Sequence, residues 1–255
     1  MDVALTREVP RSIVRCELTH RAREPIDHAR AVAQHRAYCE ALEDLGLTVL
    51  RLPADERFPD CCFVEDTAVV LDQVAVVTMP GAPSRRGEIA AVEEALRPYR
   101  RLERLTLPAT LDGGDVLRVG RLLLVGRSSR TNPAGIEALA AVAAPLGYSV
   151  AAVPFSGCLH LKSAATALDE ETVLLNPDWI EAGRLDGCRT VSVAPGEPEA
   201  ANVLRVGGEV WGHAGHPRTL DLLEARGYRA RRLDVSEFVK AEAGLTCKSI
   251  LFRAG

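Results

Sequence analysis

Apolar and polar positions alternate in short paired bursts along most of this chain, and longer apolar stripes at helical spacing fall between the pairs. Four segments read as β-hairpins: Thr67–Thr78 turning at Asp72-Gln73, Asp115–Gly126 turning at Gly120-Arg121, Ala164–Leu175 turning at Asp169-Glu170-Glu171, and Asn202–Gly212 turning at Gly207-Gly208. Runs of Val, Leu and Thr flank each turn, as a hairpin requires. Helical patterns follow most of them. Ser84–Tyr99 places Ile89, Val92 and Leu96 on one stripe, with Ser84 as the expected N-cap and Glu88 in the early turns. Asn132–Leu146 opens on an Asn cap and Pro133 and stops at Gly147; His216–Arg226 has Pro217 near its start and Gly227 at its end. An N-terminal helix over Pro25–Leu45 stops at Gly46.

The hairpin turns recur after about 48, 50 and 37 residues, counted along the chain. One supersecondary unit at such a period points to a propeller or another repeat architecture rather than a doubly wound sheet. A fifth unit is completed by joining a terminal strand, Lys248–Arg253, to an N-terminal strand, Val3–Val9, which leaves no free sheet edge. No linker or low-complexity stretch divides the 255 residues. The reading is α/β: one domain over residues 1–255, built from repeated ββαβ units.

Composition narrows the function classes. The chain is 47% hydrophobic and 26% charged with a net charge of −4, acids and bases interspersed. That argues against nucleic acid or an anionic membrane as the main partner, since both select a basic face. The N-terminus resembles no signal peptide and no apolar run is long enough for a membrane helix, so a soluble cytoplasmic protein is expected. Seven cysteines, an odd number, argue against a disulfide framework, and without a C-x-x-C pair a structural zinc site has no support. Adjacent Cys61 and Cys62 are expected on opposite faces of a strand. Most of these thiols read as buried.

Four polar clusters interrupt the apolar pattern. Phe58–Asp66 holds Asp60, Glu65 and Asp66 beside Phe63 and Val64, an arrangement costly to bury without a cation and suited to binding one. Asp112-Gly113-Gly114-Asp115 opens the second hairpin, where paired glycines admit close backbone approach and an acid on either side can orient a histidine or hold a guanidinium. Gly157–Ser163 opens the third and contains His160 between two leucines; His20, His28 and His35, near or on the N-terminal helix, read as surface residues, and His213 and His216 follow the fourth hairpin. The fourth cluster is Thr246-Cys247-Lys248-Ser249, where a basic residue directly follows a cysteine. A free cysteine is more often a small core hydrophobe. In a propeller, however, equivalent positions converge on one end of the axis, so the acids, His160 and Cys247 would meet, and these are the groups that nucleophilic catalysis needs.

The stretches Phe63–Val69, Pro80–Arg86, Leu111–Leu117, Arg130-Thr131-Asn132, His160-Leu161-Lys162-Ser163 and Leu245-Thr246-Cys247 resemble, in order and over nearly the whole chain, the dimethylarginine dimethylaminohydrolase family. That family belongs to the guanidino-group-modifying enzymes with the five-bladed pentein α/β-propeller. The resemblance implies hydrolysis of Nω-methylated arginines to citrulline and a methylamine through a covalent thiouronium, with Cys247 as nucleophile, His160 as general acid/base and Asp112 as its orienting acid. It implies that Glu65 and Asp66 hold the guanidinium, that Asp60 and the backbone around Leu18 meet the α-amino group, that Arg85 and Arg130 meet the α-carboxylate, and that Ser249 lines the pocket. Some members carry Glu where this chain has Asp112, and the role is kept on a shorter arm. Arginine deiminases and amidinotransferases of the same fold typically have His-x-Asp; Lys162 stands at that third position, and a missing acid leaves room for N-methyl groups. The remaining alternatives are an arginine or agmatine deiminase and a non-catalytic arginine-binding protein. No metal or cofactor is required, the partner is a small guanidino amino acid, and a homodimer is left open.

Overall fold

In the computed structural model, which describes residues 2–185 and 187–254, five three-stranded sheets stand around a common centre. The first blade is Ala68–Val70, Val74–Val77 and Arg101–Arg104; the second is Val116–Val119, Leu122–Arg127 and Ser149–Pro154. The third is Ala165–Ala167, Thr172–Leu175 and Arg189–Ser192, and the fourth Leu204–Val206, Glu209–His213 and Ala230–Leu233. In each, the first two strands form an antiparallel hairpin and the third pairs parallel to the second. The central strands Val74–Val77 and Thr172–Leu175 are buried at every position because both faces are covered, which is why they read as unbroken apolar runs. At the fourth hairpin the turn requires Gly207 and Gly208, at φ +57° and +78°.

The fifth blade closes the ring with both ends of the chain. Asp2–Arg7 lies between Ile250–Arg253, antiparallel, with Val3 opposite Phe252, and Thr48–Leu52, parallel. The fold is the five-bladed α/β-propeller expected from the repeat. Helices make the parallel crossovers in four blades: His28–Asp44, Ile89–Leu96, Pro133–Ala143 and Pro217–Glu224; among the described residues the third blade has only the short turn Ala182–Arg184. Among the described residues no helix is long and apolar enough to cross a membrane.

Four local expectations change. The first helix begins at His28 rather than Pro25, because Asp27 supplies the cap by accepting the Arg30 N–H at 3.1 Å. Ser84 caps nothing: a tight turn over Pro83–Glu88 precedes Ile89–Leu96, and Ser84 Oγ instead donates to Glu17 at 2.6 Å. Cys61 and Cys62 lie in a turn, both buried, not on a strand. His35 is also buried. It shares the inner stripe of its helix with Ala31, Tyr38 and Leu42, and burial pushes its imidazole down to about 4, so it is neutral.

Candidate active site

Each blade's first strand is preceded by one tight turn at the central end: Val64–Thr67, Gly113–Asp115, Leu161–Ala164, Pro198–Ala201 and Thr246–Lys248. These five turns meet around the axis. The repeat thereby converts residues nearly two hundred positions apart into neighbours. One narrow cleft is lined by Asp60, Phe63, Asp66, Arg85, Arg130, Leu159, His160 and Cys247, with Glu17, Ala241, Glu242 and Ala243 completing the wall.

His160 is the centre of the acid network. Its Nε2 lies 3.0 Å from Asp112 Oδ2, and its Nδ1 lies 3.8 Å from Asp66 Oδ1. Burial works against a charged ring here, but Asp66 and then the hydrogen bond to Asp112 outweigh it and lift His160 to about 9. At neutral pH it is an imidazolium that donates from Nε2 to Asp112, while Nδ1 faces Asp66 at ion-pair distance. Asp112, wholly buried, is fixed in turn: Gly81 N–H donates to Oδ1 at 2.9 Å, and its own N–H donates to Thr131 Oγ1 at 3.1 Å. Burial alone would raise Asp66, yet His160 and Arg85 hold it down at about 2. The second glycine of Asp-Gly-Gly-Asp explains itself at this point. Gly114 N–H donates to Asp66 at 2.9 Å, and a Cβ there would stand 2.7 Å from both Asp66 Oδ1 and His160 Nδ1. Asp115 does not reach the cleft; it accepts from Leu161 N–H and Ser128 Oγ, fixing the turn that follows His160.

Asp66, Asp112 and His160 offer atoms within 4.8 Å of one another, a spacing a metal ion could use. The donors are already engaged, since protons bridge His160 to Asp112 and Arg85 is paired with Asp66. The group does not fit a metal without breaking those bonds.

Arg85 lines the cleft, but most of its guanidinium is committed. It donates to Asp66 Oδ2 at 2.6 Å, to Glu88, and to the carbonyls of Asp60 and Phe63. Its first duty is to hold Asp66. Arg130 is less engaged, with Nη1 3.9 Å from Asp112 Oδ2. Asp60 accepts the Glu17 N–H at 3.1 Å, and burial raises its carboxyl despite Arg85. One end of the cleft therefore presents a carboxylate and a cation side by side.

Cys247 is half-buried on the last turn. Burial, then the charges of Glu65 and Asp66, push its thiol up to about 12, so with the cleft empty it is protonated. The turn is buckled by Asn202 of the fourth unit, whose Oδ1 accepts from Leu245 N–H at 2.7 Å and Thr246 N–H at 3.3 Å. Its Nδ2 donates to Lys162 O at 2.9 Å and Thr246 Oγ1 at 3.1 Å. Asn202→Ala is expected to cost about 1–3 kcal/mol through these orphaned groups. Denaturant unfolding and faster amide exchange at Leu245 and Thr246 would register it; unchanged exchange would remove Asn202 from this role.

Four of the expected residues do not line the cleft: Asp112, which stands behind His160, and Glu65, Ser249 and Leu18. Glu65 turns away: Oε1 accepts from Lys162 Nζ at 2.7 Å and Oε2 from Thr246 Oγ1 at 2.7 Å, and all three residues line a second cavity. Lys162 accordingly leaves no vacancy beside a substrate; apolar walls come instead from Phe63, Leu159, Ala241 and Ala243. Ser249 also faces that second cavity, 2.6 Å from the Tyr38 hydroxyl, because the extended residue after a tight turn points away from it. The Leu18 side chain packs against the core, which leaves its backbone for the role expected of it, while neighbouring Glu17 reaches the cleft. Sequence reasoning missed Asn202, Glu17 and Glu242. Asn202 carried a usable signal, since it precedes the fourth hairpin where the other units place their polar clusters. Glu242 accepts three successive N–H groups, those of Thr19, His20 and Arg21, and is a non-glycine at φ +56°.

No family model matches the chain. A curated protein of Streptomyces coelicolor, named N(G),N(G)-dimethylarginine dimethylaminohydrolase, is 42% identical over 251 residues, covering 98% of this chain and 96% of that one. A solved structure of DDAH from Pseudomonas aeruginosa, a cysteine-to-serine mutant complexed with citrulline, has a TM-score of 0.93 at 34% identity and covers 98% of both chains. A second is a dimethylarginine dimethylaminohydrolase whose histidine-to-glycine variant forms an adduct with S-methyl-L-thiocitrulline. Its TM-score is 0.93 at 34% identity, over 99% of this chain and 100% of that one.

Proposed function

We propose, from the premise that this chain belongs to the dimethylarginine dimethylaminohydrolase family, that it hydrolyses Nω-methylated arginine to citrulline and a methylamine through Cys247. The observation that carries this reading is a histidine held as an acid, between Asp112 and Asp66, on the same cleft as a thiol.

The roles follow from the charges. The substrate guanidinium sits against Asp66, and the N-methyl groups rest on Phe63, Leu159, Ala241 and Ala243. At the other end Asp60, with the backbone near Leu18, meets the α-amino group, while Arg130, with what Arg85 has left to donate, meets the α-carboxylate. The cleft is narrow, with a free volume of about 20 Å³, near one water.

A bound cation beside Cys247 favours the thiolate, so substrate binding activates the nucleophile that burial had silenced. The thiol proton leaves to solvent and sulfur attacks the guanidinium carbon. His160 passes its Nδ1–H proton to the nitrogen carrying the methyl groups, and the amine departs, leaving an S-alkyl thiouronium on Cys247. The now neutral His160 takes a proton from water as it adds to the same carbon. Collapse expels the thiolate and leaves citrulline. General acid–base help of this kind is worth about 10²–10⁴ in rate, and placing the guanidinium in line supplies the proximity part. The reaction uses water and a free amino acid as partners, and the reading places the enzyme in the cytoplasm.

The test is citrulline formation from arginine, monomethylarginine and dimethylarginine side by side. Both methylated substrates are expected to react and arginine to be poor. Turnover of arginine alone would instead identify a deiminase, and binding without turnover a non-catalytic arginine receptor.

A further inference from the structure

Lys248 directly follows the nucleophile, yet it is fully buried, and no carboxylate among the described residues lies within ion-pair distance of it. Its Nζ donates to the carbonyl of Gly244, across the turn that carries Cys247. The ammonium stands over the ring of Phe238 at 4.5 Å and that of Tyr38 at 5.8 Å. An uncompensated buried ammonium is costly, and aromatic faces return only part of the cost. A methionine would fill such a space more cheaply.

The surroundings show which anion is missing. From the helix His28–Asp44, His35 is neutral and Tyr38 is held as a phenol by burial. Ahead of the first blade, Cys62 is wholly buried and does not line the cleft, where a reagent or substrate would meet a thiolate, and Glu65 is already paired with Lys162. On its own turn stands Cys247, whose other charged neighbours, Glu65 and Asp66, oppose ionisation. The cleft beyond it holds His160, Arg85, Arg130, Asp60, Glu17 and Glu242. Lys248 itself does not line that cleft.

Resting on the reading of Cys247 as nucleophile, we propose that Lys248 is the built-in counter-ion of the Cys247 thiolate, acting from behind the turn as a positioning residue that never touches substrate. It lowers the cost of ionising a thiol surrounded by acids, and its bond to Gly244 keeps the turn at the distance where that charge is felt. Burial, opposed by Cys247, Cys62 and Glu65, brings Lys248 down to about 8, so the assistance operates below that pH and fades above it.

Alkylation by iodoacetamide reads the thiolate without relying on turnover, so this proposal and the catalytic reading fail separately. The rate would be measured from pH 6 to 10 on the whole enzyme, quantified on the peptide that bears Cys247. In the wild type, log rate is expected to rise with pH and bend near pH 8, where Lys248 loses its proton as the thiol would gain assistance from it. Lys248→Met should lie about tenfold or more below wild type at pH 7, rise without the bend, and approach wild type above it. Lys248→Arg should keep the neutral-pH rate and lose the bend. A purely structural lysine would shift the Lys248→Met rate equally at all pH values, or not at all, and either result overturns the proposal. Should Lys248→Met fail to fold, the wild-type curve decides, because an unbroken unit slope through pH 8 also overturns it.

Discussion

Cys247→Ser is expected to form no measurable citrulline from dimethylarginine, a loss of at least about 10⁴-fold in kcat, while the melting temperature stays within a few degrees of wild type. The size of the loss follows from the state of His160. A serine nucleophile needs a neutral base to remove its proton, and here Asp66 and Asp112 hold the ring as an imidazolium. The site is built to protonate a leaving amine, so it cannot rescue a hydroxyl. Because the substitution leaves Asp60, Asp66 and Arg130 untouched, citrulline should still bind, which calorimetry would show. Activity within tenfold of wild type would remove Cys247 from the mechanism.

His160→Ala is expected to lower kcat by about 10²–10⁴, with the loss depending on the leaving group. Dimethylamine must be protonated to depart, whereas methanethiol from S-methyl-L-thiocitrulline leaves without that help, so the first step on the latter substrate should be largely spared and its adduct on Cys247 should accumulate, because the water-activating step still lacks its base. Equal losses of the first step on both would mean that His160 acts through the fold rather than as an acid. The pH dependence has a defined sign. The folded value of about 9 lies above the ordinary 6.5, so wild-type kcat/KM falls as pH rises through about 9, and the variant lacks that limb. Stability follows the same direction: the contribution of this group is complete below pH 6.5 and is lost as pH rises through 9. Thermal melts of the two proteins should therefore converge at high pH.

Much of this was legible before any coordinates, for physical reasons. Hairpin turns such as Gly207-Gly208 and caps such as Asn132, which accepts the Gly135 N–H at 2.8 Å, act within a few residues and leave local marks. The repeat then implied convergence of Asp112, His160 and Cys247 without any contact being known. What stayed hidden was the direction each side chain takes. Glu65 and Asp66 are adjacent and chemically alike, but one faces Lys162 and a second cavity while the other faces the cleft. Periodicity could have found His35, four residues from Ala31 and three from Tyr38 on the buried stripe of its helix, but composition favoured the surface. The burial of Lys248 was illegible for the opposite reason, since only the tertiary packing of Phe238 and Tyr38 supplies its cage.

The pairing of the two chain ends has a consequence for how this molecule is made. Cys247 precedes by three residues the strand Ile250–Arg253, which must find Asp2–Arg7 to close the ring. During synthesis the first strand therefore waits, one edge uncovered, until Ile250–Arg253 leaves the ribosome. Cys247 and the clasp arrive together. A chain that stops before Thr246 accordingly contains the acid network and the arginines but neither the thiol turn nor the closing strand.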